Sequence, residues 1–365
     1  VFDVVAPVDE FVAARLRAGG TVMTGKTSTP EFGLPPYTEP AIGPPARTPW
    51  DLSRSAGGSS GGAAAAVAAG LAPVAHGSDG GGSIRIPASS CGLVGLKTSR
   101  GLLPNGPMPD GPGELGVQGP LARTVADAAA LLDVMAATSP DASYLRAIDG
   151  EPPSLLIGRY SAPVIAETNV HPESLAAFEE ASALLESLGH RLVDIAVPVP
   201  LSAVPHFELV WAAGAAGIPV DPDREGDLRP LTRWLRERGR ALTPEDVERA
   251  VAFMQAHARA ALDAAAHVDI VLTPTLAALP SLIGAIRNDE DPAADFEAQK
   301  RFTPFTSPYN MTGQPAVSLP LHWTDDGLPV GVQLVGRLWE EAMVLRVSAQ
   351  IERARPWAHR HPEVW

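Results

Sequence analysis

Two serine sites set in glycine carry the chemistry this sequence could do. GGSSGG at 57–62 holds Ser59 and Ser60, and DGGGSIR at 79–85 holds Ser83. Glycine loses more backbone freedom on folding than any other residue, so a dense cluster marks backbone that takes positive φ or approaches something closely. Three glycines directly before a serine let consecutive N–H groups turn toward one point. That is a way to build an oxyanion hole beside a nucleophile.

Two other chemistries compete for the same residues. GGSSG at 57–61 fits the short G-x-S-x-G pattern of a nucleophile elbow, which would make Ser59 the nucleophile of an α/β-hydrolase, with His359 or His361 downstream as its base. The glycines at 80–82 could cradle a phosphate, but the run lacks the G-K-[ST] ending of a P-loop and the G-x-G-x-x-G spacing of a dinucleotide site.

The elements that must position these serines alternate between strand and helix. Residues 9–18 read as a helix stopped by Gly19-Gly20, 21–27 as a buried strand, and 29–50 as a Pro-rich loop. AAAAVAAG after Gly62 fits a short helix of small residues. LAPVAHGSD is then a strand that delivers the glycine loop at its C-terminal end, where open α/β sheets place their chemistry. A helix follows at 123–137. Residues 138–153 read as a linker or surface excursion, and 154–198 as strand, helix, strand. Residues 200–268 are largely helical, with Thr243 as an N-cap. A strand at 269–275, a hairpin through Asp325-Asp326-Gly327 and a closing helix at 339–354 complete the chain. The expected fold is α/β, one domain over 1–365 with a large mixed twisted sheet flanked by helices on both faces, built around the strand ending at Ser78.

Composition excludes several classes. The chain has 365 residues, 45% of them hydrophobic, and a net charge of −14, so it can bury a large core and offers no basic surface for nucleic acid or anionic lipid. No apolar run approaches membrane-spanning length. The single cysteine, Cys91, precludes an intramolecular disulfide framework and fits a reducing, cytoplasmic setting. The chain begins at Val1 without a Met, and the expectation is that an N-terminal segment precedes it. Lysine is scarce, occurring at Lys26, Lys97 and Lys300.

Taken together, the two serine sites, Arg85, Pro87 and Cys91-Gly92 resemble the signature of the amidase signature family. The resemblance extends to GKTSTPEFG at 25–33, DIVLTPT at 269–275, SPYNMTGQPAVSLPL and GLPVGVQLVG, and so spans nearly the whole chain. The signature core covers 57–100, and 140–310 is the variable, pocket-forming region. The resemblance implies hydrolysis of a carboxylic amide through a serine acyl-enzyme, without cofactor or metal. Ser83 would be the nucleophile. Ser59, preceded by a cis peptide, would relay the proton, and Ser60 would support the relay. The N–H groups of Gly80, Gly81, Gly82 and Ser83 would form the oxyanion hole, with Asp79 and Arg85 bracing the loop. It also implies a general-base lysine in a segment upstream of all these motifs. Lys26 and Lys97 match other positions, Lys97 a structural or surface one.

Within the family, tRNA-linked amidotransferase subunits carry Thr and Gln where this chain has Gly80 and Ile86. The sequence is more similar to stand-alone bacterial amidases of the 6-aminohexanoate-cyclic-dimer hydrolase kind, acting on a small-molecule amide as monomer or homodimer. A catalytically inactive family member is the remaining alternative.

Overall fold

A computed structural model describes residues 6–107 and 110–365. Residues 1–5 of the expected domain and 108–109 of its Gly- and Pro-rich run lie outside the described residues.

Helix α1 (Phe11–Ala18) buries Val12 and Leu16 on one face. The strand expected at 21–27 does not form. Val22 and Met23 are exposed and the segment joins no ladder, so β-favouring residues without a partner edge stay irregular. Helix α2 (Gly61–Ala68) is made of small residues and packs on β1 (Val74–Asp79). The glycine loop leads from β1 into α3 (Arg85–Cys91), which Gly92 ends in the left-handed region, before β2 (Val94–Lys97), β3 (Val117–Ala122) and α4 (Val125–Ala136).

Residues 138–153 are not a linker. Helix α5 (Tyr144–Ala147) packs on α4, and the Asp133 carboxylate accepts bonds from Ser143 Oγ and from the Tyr144 and Leu145 N–H groups. Next, β4 (Leu156–Arg159), α6 (Pro172–Ser187) and β5 (Arg191–Asp194) form the expected parallel βαβ unit. Three helices follow: α7 (Val204–Gly217), α8 (Pro230–Arg240) and α9 (Pro244–Ala265), the last opened by a capping box between Thr243 and Asp246. Strand β6 (Ile270–Pro274), helices α10 (Pro292–Phe302) and α11 (Pro308–Thr312), the hairpin β7 (Ala316–Trp323) and β8 (Pro329–Val335), and α12 (Glu341–Ala354) complete the chain.

One eight-stranded mixed sheet, ordered β1-β3-β2-β7-β8-β6-β4-β5, organises these elements. Alternate residues of its strands serve separate cores, as a two-residue period requires. Val317, Leu319, Leu334, Ile270 and Leu272 pack with α4, α6 and α12, while Ala316, Val335 and Val271 pack with α7, α9 and α11. The sheet is not built around the strand that carries the glycine loop. β1 lies at one edge, partly exposed, and the centre belongs to β7 and β8, where all seven β8 residues are buried. An edge position suits its task, because its C-terminal end must stay open to other chain segments rather than run between two strands.

Candidate active site

The two serine loops meet through their backbones. Ser60 N–H donates to Ser83 O at 3.1 Å, and Ser60 Oγ lies 3.3 Å from both the N and the O of Ser78. Ser60 therefore ties the 57–60 loop to β1 and to the residue after the glycines. Ser59 and Ser83 are both buried, at 6% and 8% exposure, and the Gly58–Ser59 peptide is cis. Thr38 Oγ1 donates to Gly57 O at 2.8 Å and secures the loop from the other side. Gly58 is required by space, since a Cβ there would sit 2.7 Å from Tyr37 N.

Among the described residues no strand precedes Gly57; the chain arrives through turns and isolated bridges. A nucleophile elbow needs a strand–turn–helix, so the α/β-hydrolase reading of Ser59 lacks its frame. His361, its candidate base, is exposed and held by Arg123 and the Trp365 ring.

The glycine loop is braced from beneath by a fully buried ion pair. Asp79 Oδ1 accepts from Gly82 N–H at 2.7 Å and Oδ2 from Ile84 N–H at 3.2 Å, while Arg85 meets both oxygens at 2.9 and 3.0 Å. Burial alone would raise the Asp79 pKa. The charges of Arg85 and Lys97 and the bonds from Arg85 and Asn310 outweigh it and lower it to about 2. The rest of the Arg85 fork reaches Thr306 O, Asn310 Oδ1 and Gln333 Oε1 at 2.7–2.8 Å. A buried ion pair of this kind is tolerated only when its remaining donors are satisfied, as these are.

This arrangement narrows the expected oxyanion donors. The Gly82 N–H is already given to Asp79, which leaves Gly80, Gly81 and Ser83 to point elsewhere. Gly82 has φ +133° and is packed so tightly that a Cβ would lie 2.3 Å from Thr306 Oγ1, whose hydroxyl donates to Gly81 O at 2.6 Å. Its glycine is a matter of loop shape. Thr306, Asn310 and Gln333 were missed in the sequence. Their signal was polar side chains among apolar neighbours in FTSPYN and VQL, at positions 220 residues or more from Arg85.

The lysines sit apart from the serine pair's hydrogen bonds. Lys26 is exposed. Lys97 is wholly buried on β2 and donates to Thr98 O at 2.9 Å. Its pKa is lowered to about 7, by burial first and by the Arg85 charge second. Lys300 pairs with Glu208 and Glu297 at 2.5 and 2.6 Å, and these bonds outweigh burial and keep it above its ordinary range. Cys91 is buried, with its thiol pushed up to about 12, and is correspondingly unreactive.

A pocket opens beside Ser83 and Gly81. Its walls come chiefly from α7 and α10, including Phe207, Trp211, Phe296 and Lys300. Among the described residues no group of three or more His, Cys, Asp or Glu side chains is placed to hold a metal ion. No described helix is long and apolar enough to cross a membrane.

The pattern of the Amidase family matches residues 2–345. The chain is 36% identical over 387 residues to the 6-aminohexanoate-cyclic-dimer hydrolase of Paenarthrobacter ureafaciens, covering 98% of this chain and 78% of the relative. It is 36% identical over 372 residues to the acylamidase of Rhodococcus erythropolis, covering 99% and 78%. Its fold is similar to the solved structure of a 6-aminohexanoate cyclic dimer hydrolase complexed with substrate. The TM-score is 0.90 at 34% identity, covering 98% of this chain and 80% of that one.

Proposed function

The chain belongs to the amidase family of amide-hydrolysing enzymes, and from that premise we propose that it cleaves a small-molecule carboxylic amide through an acyl-enzyme on Ser83. Ser83 Oγ attacks the amide carbonyl while its proton passes to Ser59 Oγ, which hands its own proton to a general base, a lysine by the family resemblance, and takes it back as the amine departs. The oxygen that becomes negative is met by N–H groups of Gly80, Gly81 and Ser83, each worth about 2.7–4 kcal/mol in the transition state. Ser59 returns the proton to the departing nitrogen, because an unprotonated amine leaves poorly. Water then repeats the sequence on the ester and frees the acid. Asp79 and Arg85 keep the N–H groups aimed, and Ser60 holds the two loops in register. A base must draw the proton from the serine pair. No hydrogen bond joins Lys97 or Lys300 to either serine: Lys97 donates to Thr98 O, and Lys300 pairs with Glu208 and Glu297.

The observation that carries this reading is the Ser60 N–H bond to Ser83 O, which joins the two buried serine loops above a carboxylate-braced glycine turn. Net charge −14 supports a soluble small-molecule enzyme over a tRNA-binding subunit, and the one buried thiol supports a cytoplasmic setting. Treatment with a fluorophosphonate followed by peptide mass spectrometry tests the assignment. The label is expected on Ser83; a label on Ser59 would overturn it.

A further inference from the structure

The pocket wall has a chemistry of its own. On α7, one turn apart, the Phe207 and Trp211 rings stack at 5.7 Å between centroids and 16° between planes. Together they lie over the glycine loop: a Cβ on Gly80 would be 3.2 Å from Trp211 Cζ3, and one on Gly81 would be 3.8 Å from Phe207 Cζ. Ile86, Val204, Phe296 and Met311 extend the apolar lining. The charges in the wall cancel: Glu208 is bonded to Lys300 and Arg238, and Lys300 in turn to Glu297. No net charge is offered to a ligand, and a charged group entering the pocket would lose its hydration without gaining a free counter-ion. Ser59, which faces the leaving nitrogen in the mechanism above, does not line this pocket, whereas Ser83 does. The pocket therefore lies on the acyl side of the scissile bond.

We propose that this pocket holds an uncharged, flat, apolar acyl arm, an aryl or arylalkyl group, against the Phe207–Trp211 wall, and that Trp211 is the residue that sets this specificity. The proposal rests on the assignment of Ser83 and Ser59. Closing the acyl side with stacked rings favours a planar arm over a bent aliphatic one, because aromatic groups gain most when they lie offset on one another.

The test is a panel of primary amides on the purified protein: acetamide, pentanamide, 3-phenylpropanamide, and the charged succinamate and 4-aminobutanamide. The expected order of kcat/KM is 3-phenylpropanamide above pentanamide above acetamide, with each charged arm about 100-fold or more below pentanamide. Trp211→Leu, which keeps an apolar side chain but removes the ring, should lower kcat/KM for 3-phenylpropanamide by about 10–100-fold while acetamide changes less than about 3-fold. Trp211→Phe should retain the preference. Glu208→Gln leaves the Lys300 ammonium less neutralised and should raise succinamate relative to pentanamide by about 10-fold.

Fluorophosphonate labelling of Ser83 and a thermal melt confirm that each variant is folded. Equal losses on every substrate in Trp211→Leu, or succinamate matching pentanamide in the unaltered protein, would overturn the specificity assignment while the Ser83 reading stood. Failure of Ser83 to label, with no turnover of any amide, would defeat the underlying reading and this one with it.

Discussion

The glycine loops and the pocket wall beside them are built by opposite means. Ser59, Ser60, Ser83 and the N–H groups around them lie within one short stretch, shaped by backbone and closed underneath by the Asp79–Arg85 pair, which is fully buried. The wall is assembled from side chains of helices far apart in the chain, and its ion pairs keep part of their exposure, 14% and 15% for Lys300 and Glu208. On the proposed mechanism the first region fixes where charge develops, through backbone donors. The second fixes what is brought there, through side chains. Reaction and selection are thus separable in this fold, and the separation can be tested.

The largest expected effect is on chemistry alone. Ser83→Ala should lower turnover of any accepted amide by about 10⁴-fold or more, as removing a nucleophile does in serine hydrolases, with little change in thermal stability. Steady-state turnover and calorimetry on one sample check it. A variant retaining a tenth of the rate would place the reaction elsewhere.

Next comes the contrast between the two ion pairs. Arg85→Met leaves Asp79 charged, buried and without its main partner, and should cost about 3–5 kcal/mol in stability, read from denaturant titration. Lys300→Met, at the partly exposed pair in the wall, leaves Glu208 its Arg238 partner and should cost less, about 1–2 kcal/mol. Similar losses at both would erase the distinction.

Gly82→Ala sharpens it further. The added methyl meets Thr306 Oγ1 in a backbone at φ +133°, so the loop must shift. With the oxyanion donors misplaced, kcat should fall by about 10²–10³-fold, the penalty of losing one such donor, while KM for an aryl amide moves far less. A change confined to KM would mean that the loop shapes the pocket and not the reaction.

A further effect is on the pH dependence of stability. Lys97 has a folded pKa near 7 against an ordinary 10.5, so between those values the unfolded chain binds more protons than the folded one. Stability should rise with pH across that window, and the full cost of charging the buried amine should be present below about 7. Lys97→Met should flatten the rise, measured by urea titrations at successive pH values. An unchanged slope would mean that Lys97 is charged in the folded protein.

How much of this was legible in the sequence follows the same division. The glycine turn before Ser83 could be read because backbone shape lies in local residue types and spacing, and the Thr243 cap and the β7–β8 turn at Gly327, with φ +82°, could be read for the same reason. The strand at 21–27 and the central place given to the strand ending at Ser78 both failed. Each depends on which edges pair, and pairing is settled by distant partners. Lys97 gave no sign that it is wholly buried, because a lysine in a strand ordinarily snorkels to water. Trp211 was invisible for another reason. A tryptophan on a helix reads as core until the loop it covers is seen.

The reach of the Arg85 side chain has a consequence for the protein's birth. Its guanidinium is secured by Thr306, Asn310 and Gln333, and β2, just after α3, pairs with β7 across more than 200 residues. A ribosome that has translated as far as α9 has already released both serines and the Asp79–Arg85 pair, but not Thr306, Asn310 or Gln333, which hold the rest of the Arg85 fork. Such long-range closures come late in folding, since the entropy of the intervening loop is lost before the contacts form. A nascent chain, or one ended prematurely before Gln333, carries the whole serine sequence without its full brace. Completion of the site therefore waits on residues more than 200 positions after Arg85.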